Sequence, residues 1–361
     1  MEGDARDRLI QVGRLLLNQE RAQVLVEPRA REKGFWFGGG NIALDADGIL
    51  WLVGRYRNGG DARRGLEAGA RGAELALMRS ADGGHRFEPG FSLFKDDLAS
   101  EQEPVLSIEG ACLCTHEDRV ELYVSSEKLR PYPVGLAESQ KPGTGVWGID
   151  LLSAPTVEAL AEAEARPVLR SDDPLCLHVK DPVVFELDGQ AAMLFCWHPF
   201  SWASSNAGYA EQMGPAGAWE VLDWSVLPRG PAWDVAVTRM TCRLPLPTAG
   251  MLPRGSQMSL YFYDGAECIH DHGGSRARGY SCEEVGGLAA GWDEQFPDLE
   301  RLSLEEPLSV SPHGTGCSRY ASVFDAGDFY IATWQQSQPD LSQPLVVNRV
   351  PKGEVIAVLT A

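Results

Sequence analysis

Three carboxylates stand out by their neighbours: Asp181 in Val179-Lys180-Asp181-Pro182, Glu103 in Glu103-Pro104-Val105, and Asp234 in Ala232-Trp233-Asp234-Val235. Each opens an apolar run that reads as a strand, which places the side chain where loops leave room for a ligand. Carboxyls gathered this way can divide acid and base work. Burial or a like-charged neighbour lets one keep its proton near neutral pH while another stays ionised. Trp233 would add an aromatic face beside an acid. Each also has a plainer role: Asp181 capping a turn, Glu103 in an ion pair, Trp233 buried with Asp234 as its cap.

Cations and hydrogen-bonding groups recur at comparable places. Arg55 and Arg57 end one hairpin, and Asn41, His178, Lys180, Arg239, His313, Arg319 and Tyr320 lie at or near strand starts. An arginine fork matches a carboxylate or sulfate; alternatively, each arginine only neutralises a nearby Glu or Asp. The loop Trp197-His198-Pro199-Phe200-Ser201-Trp202 could flank a pocket mouth or pack as a loop. His270-Asp271-His272 reads as loop histidines beside Gly273-Gly274 rather than a metal site. Cys112 and Cys114 are spaced wrongly for a zinc knuckle and read as core. Gly38-Gly39-Gly40 opens no helix, so a phosphate loop is unsupported. No metal or cofactor ligand set is legible.

The elements that position these residues repeat. Five short runs rich in β-branched and aromatic residues begin at Ile49, Val120, Ala192, Ser259 and Phe329, each just after a turn. Before each turn stands another strand candidate: 41–46, 103–109, 181–187, 235–243 and 318–325. Weaker third strands follow at 73–80 and 145–152. Five strand–turn–strand units spaced roughly 65 to 75 residues apart predict an all-β, five-bladed β-propeller over 31–361. A two-sheet sandwich is the alternative, but it gives no reason for so even a spacing. Residues 7–25 predict a short helix within a lead-in of 1–30.

Composition bounds the rest. The 361 residues are 44% hydrophobic, with 39 Gly and 23 Pro spread along the chain as punctuation between short elements. A net charge of −19 would repel nucleic acid. No run approaches the ~18 apolar residues of a membrane helix. No signal-type apolar stretch opens the chain, so cytoplasm is the expectation, with the eight cysteines as buried thiols.

Two motifs carry a resemblance. Ser80-Ala81-Asp82-Gly83-Gly84-His85-Arg86-Phe87 resembles the Asp-box turn between outer strands of sialidase-type propeller blades. Lys180-Asp181-Pro182-Val183-Val184-Phe185, running into Asp188-Gly189, resembles the inner-strand motif of the five-bladed glycoside hydrolase superfamily, which includes arabinanases and β-xylosidases, invertases and levansucrases, and mannoside phosphorylases. Glu103-Pro104 looks like the same feature one blade earlier. The resemblance implies an axial pocket, a small carbohydrate substrate, and acid/base catalysis by carboxyls drawn from Asp181, Glu103 and Asp234. Substrate contacts would come from Asn41, Arg55, His178, Lys180, Trp233, Arg239, His313, Arg319 and Tyr320. The chain departs from the arabinanase-like pattern in one respect: Gly38-Gly39-Gly40-Asn41 stands where a first-blade Asp-Pro is expected. Two other readings therefore stay open: a sialidase-like or uronate-directed glycosidase with an arginine clamp, and a non-catalytic sugar-binding propeller.

Overall fold

A strand buried on both faces loses the alternation of a half-buried one, and here that condition is common: Val120–Lys128 and Met258–Ala266 are buried throughout. Such strands have to be sandwiched between sheets, and the computed structural model shows how. It describes residues 3–57, 72–99, 103–214, 217–250, 252, 255–269 and 284–361. Five antiparallel sheets surround one axis, each with its first strand innermost. Blade 1 runs through Leu50–Arg57, Glu74–Ser80 and Glu88–Phe94. Its inner strand is split into Trp36–Gly38 and Ile42–Leu44, both paired with Leu50–Arg57. The inner strands of blades 2 to 5 are Val105–Thr115, His178–Leu187, Val237–Pro245 and Ser318–Asp325.

Five hydrophobic clusters fill the five gaps between neighbouring blades. One example packs Tyr123, Ile149 and Leu151 of blade 2 against Met193 and Phe195 of blade 3. The gap between blades 4 and 5 also receives two helices, α1 (Gly3–Leu16) and α2 (Lys352–Thr360), through Leu9, Val12, Leu16, Val355 and Leu359. The five-bladed expectation holds. The helix expected over 7–25 stops at Leu16, because Gln23–Val26 is a strand, the outermost of blade 5, paired with Leu345–Pro351. The start of the chain thus completes the blade made by its end.

Adjacent inner strands are stitched by side chains standing in for backbone partners. Asn41 accepts from the Leu113 amide at 2.8 Å and donates to its carbonyl at 2.9 Å. Cys112 Sγ accepts from the Val184 amide, and Cys242 Sγ from the Val323 amide. These thiols are structural hydrogen-bond acceptors on the channel wall. The seven described cysteines are all free thiols, and those of Cys112 and Cys114 lie 3.8 Å apart. The Asp-box turn forms as expected between the third and fourth strands of blade 1: Asp82 accepts from the amides of His85 and Arg86, and Ser80 from that of Gly84.

Candidate active site

Every inner strand is irregular at one level along the axis. Pairing shifts register between Ile108 and Ala111, Lys180 and Val183, Met240 and Cys242, and Arg319 and Ser322. In blade 1 the strand breaks outright at Gly39-Gly40. Bulges re-aim side chains, and here they put Glu109, Lys180, Asp181, Arg239, Arg319 and Tyr320 in one axial cluster. Asp181 and Tyr320 have φ of 55° and 53°, a left-handed conformation that costs a non-glycine residue about 1 kcal/mol or more. The strain is met by hydrogen bonds. The Asp181 amide donates to Ser125 Oγ at 2.7 Å, and the Tyr320 amide to the Asp264 carboxylate at 3.1 Å.

The cluster is a chain of alternating charge. Arg55 Nη2 lies 3.5 Å from Glu109 Oε1. Lys180 Nζ is 2.5 Å from Glu109 Oε2 and 3.7 Å from Asp181 Oδ2. Arg239 reaches Asp181 at 3.6 Å, Asp264 at 2.7 Å and Glu284 at 2.8 Å. Arg319 closes the chain on Glu284 at 2.5 Å. Burial alone would raise the Glu109 carboxyl, but Lys180 and Arg55 outweigh it and hold it far below the usual range. Glu284, also buried, is brought to about 2 by Arg239 and Arg319. Asp264 goes the other way: burial, helped by Glu284, pushes it up to about 6 against the pull of Arg239. It is sealed, with no exposed surface, whereas Glu109 and Glu284 keep 21% and 15% of their side chains exposed.

Aromatic rings floor and flank this chain. Arg55 and Arg319 hold their guanidinium carbons 4.3 and 3.8 Å from the Trp36 ring centre, and Arg239 sits 4.0 Å from that of Tyr320. Trp202, from the aromatic loop, packs against His178 and His198 with Lys180 nearby. Burial, with the Lys180 charge behind it, takes His178 down to about 3, so its imidazole is neutral. Along the axis beyond Asp181 lies a cavity of about 130 Å³ bordered by Gly39, Gly110, Cys112, Asp181 and Tyr320. It adjoins a wider one of about 700 Å³ toward the opposite mouth, near His116, Arg119 and Glu121.

Of the residues picked from sequence, Arg55, Lys180, Asp181, Arg239, Arg319 and Tyr320 meet here, with His178 just behind Lys180. Asn41 lines the channel, spent on the Leu113 backbone. Glu103 is held elsewhere, in a two-pronged pair with Arg170 at 3.0 and 2.6 Å and near Arg130 at 3.8 Å. Asp234 is buried against Arg301 and accepts from the Tyr263 hydroxyl at 3.0 Å. Trp233 is core, stacked on Tyr263 and donating to the Ser303 carbonyl. His313 is exposed in a turn. His270-Asp271-His272 lies outside the described residues.

Glu109, Asp264, Glu284, Trp36 and Trp202 are the members that strand starts did not reveal. One signal existed for Asp264. The last residues of each second strand lie opposite the first residues of the inner strand: Arg55 faces Gly38, His198 faces His178, Asp264 faces Arg239 and Gln335 faces Arg319. Polar residues ending the second apolar runs were therefore at the same rim.

No family model matches the sequence, and no curated protein matches it either. Solved structures do. One described as a glycoside hydrolase superposes with a TM-score of 0.63 at 10% identity, over 97% of this chain and 95% of its own. An α-L-arabinofuranosidase from Lactobacillus brevis gives 0.55 at 12% identity, over 92% and 93%. A β-1,2-mannobiose phosphorylase from Listeria innocua, in complex with β-1,2-mannobiose, gives 0.54 at 13%, over 95% and 98%. The shared feature is the five-bladed fold. At such identities the likeness is one of architecture, and chemistry has to be argued from the site.

Proposed function

We propose that this chain is a glycoside hydrolase-type enzyme that works on a small glycan or glycoside over the axial cluster. The observation that carries the reading is the placement of Glu109 and Asp181. Both carboxylates lie within 2.5 and 3.7 Å of the single Lys180 ammonium, so their oxygens can be no farther apart than the sum of those distances. That bound admits the roughly 5–5.5 Å separation of retaining glycosidases and falls short of the about 6.5–9.5 Å of inverting ones. Glu109, kept ionised by Lys180, suits the base or nucleophile. Asp181 is the second carboxyl, and its Oδ2 is buried with no hydrogen-bond donor on it among the described residues. Arg239 orients Asp181, and Arg319 orients Glu284. The fold likeness to solved glycosidases supports the same reading.

A second reading is favoured by one specific feature. Gly38 and Gly40 cannot carry a side chain: a Cβ at Gly40 would sit 2.0 Å from the Val53 carbonyl oxygen, and one at Gly38 2.7 Å from Gln335. Among the described residues, the glycine run of the first inner strand therefore puts no carboxylate on the axis, the condition expected of a propeller that binds sugar without cleaving it. The experiment is hydrolysis of a panel of neutral and uronic aryl glycosides by the wild type, Asp181→Asn and Glu109→Gln. Release that falls about a thousandfold in both variants, roughly 4 kcal/mol of transition-state stabilisation, is expected for the enzyme. Sugar binding without release from any substrate would move the assignment to the binding protein.

A further inference from the structure

Buried donors without acceptors mark places where a ligand completes the structure. Arg55 is 2% exposed and Trp36 8%, yet Arg55 Nε, Arg55 Nη2 and Trp36 Nε1 have no hydrogen-bond partner among the described residues. The three belong to one spot, because the Arg55 guanidinium carbon lies 4.3 Å from the Trp36 ring centre. Glu109 is near enough to Arg55, at 3.5 Å, for charge attraction without accepting a hydrogen bond. Its other oxygen is taken by Lys180. Arg319 and Arg57 pack on the same indole, at 3.8 and 5.3 Å. Lys180 and Arg239 stand in the same cluster. A guanidinium edge and an indole N–H, all donors and all desolvated, call for an acceptor-only group carrying negative charge.

We propose that the Arg55–Trp36 corner binds an oxyanion, carried as a carboxylate on the sugar or supplied as a free ion of the same chemistry, and so makes the site selective for acidic ligands. This deepens the glycosidase reading and rests on it for the sugar. It does not rest on turnover.

The test is equilibrium binding by calorimetry, with glucuronate and galacturonate against glucose and galactose, and with inorganic phosphate and sulfate as separate arms. Uronates should bind at least tenfold tighter than their parent hexoses, and Arg55→Met should abolish that margin. Tight binding of phosphate or sulfate, lost in the same variant, assigns the corner to a free oxyanion instead of a sugar acid. Trp36→Phe keeps the ring, removes the indole donor and should weaken the anion severalfold, so the inference stays open to test if Arg55→Met does not fold. Equal binding of neutral and acidic sugars with no binding of the free ions, or anion binding unaffected by both variants, overturns it. Cleavage of neutral glycosides with neither uronates nor free oxyanions held through Arg55 would sink this inference while sparing the glycosidase reading. Oxyanion binding through Arg55 with no cleavage would do the reverse.

Discussion

Lys180 Nζ lies 2.5 Å from Glu109 Oε2, a contact between the inner strands of neighbouring blades in which both partners are largely withdrawn from water. Burial works against both charges, and their neighbours outweigh it: Lys180 and Arg55 hold the Glu109 carboxyl below its usual range, and Glu109 and Asp181 hold the Lys180 ammonium above its own. Such a pair contributes little net stability over an apolar equivalent, but its halves cannot be parted cheaply.

Lys180→Met should therefore cost about 3 kcal/mol, since it leaves two carboxylates facing each other without their shared cation. Adding Glu109→Gln to that variant should recover part of the loss, as expected for directly coupled neighbours. Urea denaturation of the two single variants and the double variant measures this. Strict additivity would mean that the contact carries no coupling.

The pair Asp264 and Glu284 should give opposite signatures against pH. Asp264 is raised in the folded protein, from 3.8 to about 6. Folding thus favours its protonated form, and its contribution is complete below about pH 4 and is lost as pH rises through 6. Glu284 is depressed, from 4.5 to about 2; its contribution is present above about pH 4.5 and is lost as pH falls toward 2. Relative to wild type, Asp264→Asn should become progressively more favourable between pH 4 and pH 7. Glu284→Gln should be at its least unfavourable at the acid end. Thermal melts across that range check both slopes, and parallel curves for wild type and Asp264→Asn would refute the first.

The blade repeat was legible because it rests on local signals: a turn former followed by a β-branched and aromatic run, five times over. Lys180 and Asp181 were legible for the same reason, as the opening of such a run. Glu109 was hidden inside an apolar stretch as the last residue of its expected strand, and only the bulge at Ile108–Ala111 turns it to the axis. Asp264 closes a second strand, and sequence alone does not say that second-strand ends share the rim of inner-strand starts. Glu103 and Asp234 had the right setting, a carboxylate ahead of an apolar run. The positions of Arg170 and Arg301, 67 residues away in each case, decided their partners, and no local pattern encodes that.

Gly110 separates positioning from folding. A Cβ there would lie 2.4 Å from Asp181 Oδ1, whose hydrogen bond from the Gly110 amide is 3.1 Å long. Gly110→Ala should push the carboxylate out of place and lower kcat about tenfold to a hundredfold, because misplacement by an ångström is enough for such losses. At Gly40 the clash is with backbone, the Val53 carbonyl oxygen, and Gly40→Ala should lose the fold or most of its stability. Kinetics and circular dichroism on the two variants distinguish the cases. A fully active Gly110→Ala would show that Asp181 does not touch the reaction.

The lead-in segment tests how the ring is held shut. Gln23–Val26 supplies the outer strand of blade 5, and Val26 is buried with Leu345 and Val347 in the gap between blades 5 and 1. One turn of chain earlier, Leu16 of α1 is fully buried among Leu288, Leu308 and Val346, and Asn348 donates to the Leu15 and Leu16 carbonyls at 3.0 Å, satisfying two groups at the helix end. Leu16→Ala should cost about 3 kcal/mol through the cavity it leaves, which for a chain of this size lowers Tm by about 5 °C. Val26→Asp buries a carboxylate against the aliphatic side chains of Leu345 and Val347 and should cost at least as much. If both variants melted with wild type, α1 and its strand would be decoration. If, as expected, both melt early and in one cooperative step, closure of the ring and stability of the axial site are a single property of this fold.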